Sequence, residues 1–393
     1  MAKEQEKDWT TDYDLFDPAF VKDPYPIWSE LRGKCPIAHS DRWGGSWMTT
    51  RYEDMFAIAQ DVQHFSNHDP QVVPRPKDSP GAPPITTDPP EHTWSRRLLL
   101  PYFSIRAIEK WVPLTRERCR SLLDSFADKG EADAAADYAQ QVPGYVVSAI
   151  LGVPQQMADT FNLWVRDFFE FGQTDPPRAV AARAQGLAYL AQLLQERKQS
   201  LGEDLMSYLI KANVNGQPVP DQHIMETSLL VVIAGIDTTW NSISSALWHL
   251  AQHPEDYRRL VAEPELIPTA VEELLRAYAP VLMARLVTED IEYHGCQMAA
   301  GDKLILPFPA ANRDPEKFSD PDSVIIDRAE NPHIAFGVGI HRCLGSNLAR
   351  MEMRIALEEW VARIPSFRLK DPNAVTWTGG QIRGPRSVPV VFP

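Results

Sequence analysis

The amino-acid sequence predicts a mainly α-helical fold with a minor β portion. Three observations carry this. Apolar residues recur at helical spacing through most of the chain from His92 to about Leu275. Segments with strand-like composition, "ARLVTEDIEYHG", "KLILP" and "SVPVVF", come late. Around Asp237 a single long helix is expected, apolar nearly all round its first half, which marks it as central and buried.

In chain order, "PAFVKDPYPIWSELR" opens the fold with aromatic and aliphatic residues on one face. "SWMTTR" is a short strand candidate and "YEDMFAIAQD" is helical. Residues 67–90, "NHDPQVVPRPKDSPGAPPITTDPP", are too rich in Pro, Asp and Gly for regular structure. A loop of that length in a compact protein is usually functional or mobile. The helical run that follows is broken at "LGVP", "TDPP" and "NVNGQPVP". The strands are expected to come largely from the C-terminal third. With no internal repeat and no low-complexity linker, residues 1–393 read as one domain.

Composition narrows the function. The 393 residues are 44% hydrophobic, enough for a large core. With 39 basic against 53 acidic residues the formal charge is -14, which argues against a nucleic acid or an anionic membrane as partner. The opening "MAKEQEKDWTTDYD" lacks the apolar segment of a signal peptide. "TSLLVVIAGI" is too short to span a bilayer and "TTWNSISSALWHLAQHP" too polar, so a soluble cytoplasmic protein is expected. The four cysteines, Cys35, Cys119, Cys296 and Cys343, show no CxxC spacing. That argues against a zinc site, an iron–sulfur cluster or a disulfide framework. Cys35, Cys119 and Cys296 read as small buried hydrophobes.

Between Thr227 and Glu255 the only Asp, Glu, Lys or Arg is Asp237. A buried carboxylate costs several kcal/mol unless paired or hydrated. Gly235 weakens the helix just before it, and the hydroxyls of Thr238 and Thr239 can bond back to the preceding turn. A structural bend with a satisfied Asp fits these residues, and so does an opened turn holding water, an acid and an alcohol beside a cavity.

In "FGVGIHRCLG" the glycines Gly337, Gly339 and Gly345 allow close backbone approach, and Cys343 stands at the entrance to a helix whose buried stripe is Leu344, Leu348, Met351 and Ile355. Arg342 occupies the place of the third glycine of a dinucleotide fingerprint, which excludes that motif. Helix-start amides, His341 and Arg342 favour a thiolate. A nucleophilic cysteine or a ligand to a flat metal cofactor both fit, though no partnered base stands out for the first.

The same segment resembles the haem-binding signature of the cytochromes P450, with Phe336, Gly339, Cys343 and Gly345 at its four fixed positions. "AGIDTT", "EELLR" and "DPPEHTWSRR" resemble three further motifs of that family, in its order, and the likeness runs from about "DPAF" to the C-terminus. Two residues depart from it: Trp94 stands where the family commonly has smaller or polar residues, and Met283 where the family is variable. The resemblance implies the family's triangular prism, with haem b between the central helix and the Cys343 loop with its following helix. It implies Cys343 as axial iron ligand, with Phe336 and Gly345 beside it. It implies His92, Arg96, Arg285 and His341 as holders of the haem carboxylates, and Asp237 and Thr238 as the acid–alcohol pair that delivers protons to dioxygen. Glu273 and Arg276 of "EELLR" become a buried structural network with Arg328. Substrate contacts are expected from the 67–90 loop, Phe168 and Phe171 of "FFEFG", Ile233, Ala234, Leu282 and Met283 of "PVLMA", and the "TGGQI" turn. Arg75 or Lys77 could bind a carboxylate.

The resemblance further implies a monooxygenase that hydroxylates or oxidatively dealkylates a small to medium apolar organic substrate with O2. A single haem domain without a fused reductase or ferredoxin domain is expected. Electrons from NAD(P)H are therefore expected through an external ferredoxin reductase and ferredoxin, docking near Arg342. A haem gas sensor, or an isomerase or dehydratase on the same fold, are the alternatives that the residues leave open.

Overall fold

The computed structural model of the chain describes residues 7–74 and 79–393; Arg75 and Lys77 lie outside the described residues. The central helix runs from Asp221 to Gln252, 32 residues without interruption. It packs against the helices Gln141–Ile150, Met157–Arg166 and Pro176–Gln199, against the C-terminal helix Ser346–Arg363, and against the strand Gly384–Ser387. Contact on every side explains why it is apolar nearly all round rather than on one stripe. The breaks expected at "LGVP" and "TDPP" are present, the helix before the first ending at Ile150 and the helix after the second starting at Pro176. "NVNGQPVP" forms a small hairpin, Asn213–Val214 with Gln217–Pro218.

Most strands come from the C-terminal third, as expected, but the largest sheet also draws on the N-terminal segment. The largest sheet has five strands in the order Ile37–Ser40, Ser46–Thr49, Lys303–Pro307, Leu282–Val287, Phe65–Ser66. Three of the five come from the first 70 residues, and only the Ser46–Thr49/Lys303–Pro307 pair is parallel. A three-stranded sheet joins Arg368–Leu369 and Pro389–Val391 to Glu131–Asp133, a strand inside the helical region. Strands of two to four residues show too few alternations to be read locally, and they form because a distant partner is present. "ARLVTEDIEYHG" divides into Leu282–Val287 and Ile291–Tyr293, and "SVPVVF" contributes to two strands, Gly384–Ser387 and Pro389–Val391.

Two apolar clusters make up the core. One surrounds the central helix and includes Leu99, Val147, Ile233, Leu275 and Leu348. The other joins the N-terminal segments to the five-stranded sheet and includes Trp28, Met55, Leu282, Leu304 and Phe308. A large cavity lies where they meet. Side chains from both line it, Leu99 and Leu275 from one and Phe308 and Met283 from the other.

Between the clusters a buried ion pair ties helix to loop. Arg276 donates to Glu273 through Nε and Nη2, each at 2.8 Å, and to the carbonyls of Asn312, Pro321 and Ser323. Glu273 also accepts from Arg328 Nε at 3.0 Å, from the Ile325 amide at 2.8 Å and from Asn331 at 3.1 Å. Both members of the pair are fully buried, and this set of partners offsets the desolvation of the two charges. The network expected of Glu273, Arg276 and Arg328 is therefore present in the fold.

Candidate active site

Cys343 opens onto the cavity. Its amide donates to the Phe336 carbonyl at 2.7 Å, which closes the loop, and the helix begins three residues later at Ser346. Cys343 is exposed and lines the cavity. Burial raises its thiol; the Gly345 amide and the charges of Arg96, Arg342 and Arg350 act in the opposite direction. The helix-start effect expected from the sequence is thus present but outweighed by burial; a metal cation bound to the sulfur would displace its proton. Among the described cysteines, Cys343 alone lines this cavity.

Gly337 and Gly339 both have positive φ, 67° and 72°. A Cβ on Gly339 would stand 2.4 Å from the Ala59 carbonyl oxygen, so this glycine is required by the helix Tyr52–Gln60 packed behind the loop. The loop is pressed into place from outside and presents Phe336, Cys343 and Gly345 to the cavity. The Arg350 guanidinium covers the Phe336 ring at 4.4 Å and is itself bound by Glu272 at 2.6 and 2.7 Å.

Around this loop stand groups suited to anions. Arg96, Arg285 and His341 line the cavity, and the His92 ring lies 4.3 Å from that of His341. His92 and His341 each bury an Nε2 that has no hydrogen-bond partner among the described residues. His341 Nε2 stands 4.0 Å from Asp88 Oδ1. Arg285 is buried and donates to the Ala284 carbonyl at 2.9 Å, and Arg96 donates to the Arg342 carbonyl at 2.5 Å. Burial pushes Arg285 down to about 10. Burial, with Arg285, His92 and Arg96 nearby, pushes His341 down to about 2. Four cationic or donor groups gathered around the single carboxylate of Asp88 would be costly unless a bound anion answered them. A flat macrocycle carrying two carboxylates, with a metal facing Cys343, fits this donor set. The residues implied for haem are brought together.

The central helix forms the opposite wall. Ala234 is exposed in the middle of this buried helix, and Thr238 and Ile233 line the cavity beside it. The Thr238 hydroxyl donates to the Ala234 carbonyl at 2.7 Å, the back-bond its position allows. Asp237, on the other side of the helix, is fully buried. Arg386 grips it, Nη1 to Oδ1 at 2.6 Å and Nη2 to Oδ2 at 3.3 Å. Arg386 Nε lies 3.3 Å from Glu170, which Arg166 binds in turn at 2.8 Å, and the Arg386 guanidinium stacks on Trp240. Sequence reasoning missed Arg386. The signal was the demand of Asp237 for a partner, but nothing local says that it comes 149 positions later.

Two expected substrate contacts are corrected. Phe171 does not line the cavity: its ring is sandwiched by the guanidiniums of Arg166 at 5.3 Å and Arg178 at 4.0 Å. Leu282 points away as well. On the strand Leu282–Val287 the side chains alternate, so Met283 and Arg285 face the cavity while Leu282 is buried in the sheet cluster. The remaining expected contacts converge. Phe168, Ile233, Ala234 and Met283, loop residues such as Gln71 and Ile85, and Gln381 of "TGGQI" all line the space. The structure adds Arg183 from the helix Pro176–Gln199, which donates to the carbonyls of Pro80 and Gly81 and so joins this helix to the loop over the cavity.

Outside the cavity, Arg342 is exposed and Arg354 pairs with Glu358 at 3.1 Å. No helix among the described residues is long and apolar enough to cross a membrane.

Comparison with known proteins agrees with this architecture. The family model described as Cytochrome P450 matches residues 149–373. The chain is 34% identical to the mycinamicin IV hydroxylase/epoxidase of Micromonospora griseorubida, over 88% of its own length and 89% of that protein. It is 34% identical to the nocardicin C N-oxygenase of Nocardia uniformis subsp. tsuyamanensis, over 98% and 99%. Among solved structures, P450BioI bound to a fatty-acyl carrier protein superimposes with a TM-score of 0.86 at 31% identity, covering 95% of this chain and 100% of that one.

Proposed function

The chain belongs to the cytochrome P450 family, and from that membership we propose that it inserts one atom of O2 into a small to medium apolar organic molecule held beside Thr238. It is a haem b monooxygenase, an oxidoreductase acting with molecular oxygen. Haem iron held by a thiolate supplies the activation of dioxygen and its transfer to carbon or a heteroatom.

The observation that supports the residue assignment is that Cys343, alone among the described cysteines, lines the same cavity as Ala234 and Thr238 of the central helix. In this reading Cys343 holds the iron, and Phe336 and Gly345 leave its sulfur room. Arg96, Arg285, His92 and His341 bind the two haem carboxylates by charge-assisted hydrogen bonds. Thr238 exchanges its bond to the Ala234 carbonyl for one into the cavity and passes protons there. Asp237 supplies them, and must loosen its pairing with Arg386 to do so. The lining of Phe168, Ile233, Val281, Met283 and Ile382 excludes water and orients an apolar substrate. Gln71, Arg183 and Gln381 supply polar groups from the loop and helix side. Hydroxylation and oxidative loss of an alkyl group are the two outcomes this geometry serves. We place the enzyme in the cytoplasm as a single haem domain, with electrons arriving from NAD(P)H through a separate ferredoxin reductase and ferredoxin at the face that exposes Arg342.

The test is a panel of apolar aromatic and terpenoid compounds. Binders are expected to convert the haem from low to high spin and to support NADH- and O2-dependent product formation with a surrogate ferredoxin pair. C343S is expected to lose the carbon-monoxide absorbance of thiolate ligation. An unchanged carbon-monoxide spectrum in C343S would overturn the ligand assignment, and a panel without any spin shift would overturn the substrate class.

A further inference from the structure

The central helix ends on a cluster that the oxygenase reading does not use. His249 and His253 are one helical turn apart, and Asp256 follows in the first turn of the next helix, Pro254–Ala262. One ligand atom from each lies within 4.8 Å of the others. The two imidazoles are stacked with centroids 4.1 Å apart and planes 21° from parallel. His249 is buried, its Nε2 is 3.0 Å from Asp256 Oδ2, and its Nδ1 is 2.9 Å from the Tyr278 hydroxyl. His253, half exposed, has its Nδ1 3.3 Å from Glu255 Oε1.

We propose that His249, His253 and Asp256 form a binding site for a divalent transition-metal ion of the zinc class, on the face of the protein where the central helix ends. Each histidine has its Nδ1 held by an outer partner, Tyr278 for one and Glu255 for the other. That is how metal-binding imidazoles are oriented, and it leaves both Nε2 atoms for the ion. A carboxylate can only accept, so in the metal-free protein the His249 Nε2 carries the proton and Nδ1 accepts from Tyr278. On binding, the metal replaces that proton, Nδ1 becomes the protonated nitrogen, and Tyr278 changes from donor to acceptor.

Two nitrogens and one oxygen match a borderline cation and disfavour magnesium or calcium. Ligand atoms in a tetrahedral zinc site stand about 3.4 Å apart for bonds of about 2.0–2.1 Å, so a small side-chain adjustment closes the site. A fourth position stays open to water on the side where His253 is half exposed and Asp256 partly so. The helix C-terminus adds its partial negative charge. The site uses no cysteine, which is why cysteine spacing did not reveal it.

The experiment is equilibrium dialysis of the tag-free holoenzyme, stripped with a chelator, against zinc, with zinc and haem iron counted by elemental analysis. One saturable zinc per haem iron is expected, not displaced by a thousandfold excess of magnesium. H253A and D256N, both at the open rim, are expected to weaken binding at least tenfold while keeping the carbon-monoxide spectrum of the native enzyme. Zinc should also raise the unfolding temperature of the native protein and not that of D256N. Absence of a saturable equivalent, displacement by magnesium, or affinity unchanged in both variants would each overturn the site.

Discussion

At the residue scale the decisive contact is Arg386 with Asp237. A fully buried carboxylate in an otherwise uncharged stretch of helix needs a partner, and Arg386 provides it from two atoms while also stacking on Trp240. Removing one partner of such a pair leaves an uncompensated buried charge, at a cost of about 3–5 kcal/mol. R386M is therefore expected to lower the unfolding free energy by about that amount. The double variant D237N/R386M should recover part of the loss, which denaturant titration of the haem-loaded protein will measure. D237N leaves Arg386 its contact with Glu170, so it should keep haem at some cost in stability and slow turnover at least about tenfold, because the carboxylate relays protons to Thr238. Turnover at the native rate in D237N would remove Asp237 from the mechanism.

At the scale of elements, the strand Leu282–Val287 separates stability from recognition. Its two faces serve different parts of the molecule, since Leu282 fills the sheet cluster and Met283 faces the cavity with Arg285. L282A is expected to cost about 2–5 kcal/mol of stability, the range for a buried leucine, with substrate affinity changed little. M283A should do the reverse and shift ligand affinity, read from the spin-state titration, with a smaller loss of stability. The sequence made the strand legible but not its phase. "PVLMA" is apolar at neighbouring positions, so only the pairing of Leu282 with Pro307 and of Arg285 with Leu304 decides which side faces which cluster. Phe171 is a similar case. An aromatic run on a helix says nothing of which ring Arg166 and Arg178 will cover.

At the scale of the molecule, haem and protons are linked. His341, pushed down to about 2 by burial and by Arg285, His92 and Arg96, stays neutral in the folded chain, whereas in the unfolded chain it titrates near 6.5. The unfolded state thus binds the extra proton, and the contribution of His341 to stability is lost as pH falls below about 6.5. Haem carboxylates at this cluster oppose that loss. The unfolding temperature of the haem-free protein is expected to fall more steeply between pH 7 and 5 than that of the haem-loaded protein. Parallel slopes would show that the cluster does not bind the carboxylates. A second, more acidic loss belongs to Glu272. Burial raises this carboxyl, but hydrogen bonds from His333 and Arg350 overcome it and bring it to about 2, below its ordinary 4.5. That stability is present above about 4.5 and lost as pH falls towards 2, with or without haem.

The amino-acid order by itself determined the helical class, the central helix, the break positions and the loop that carries Cys343, because each is written in residues close together and in periods of a few positions. The network of Glu273, Arg276 and Arg328 was legible only through the resemblance to a known family, not through the local pattern. Tertiary structure alone decided that Arg386 meets Asp237, that Glu131–Asp133 becomes a strand beside Pro389–Val391, and that Met283 rather than Leu282 faces the cavity. Those outcomes depend on which distant surfaces come into contact. Burial and charge pairing act across space, and their partners leave no mark in the local pattern of the chain.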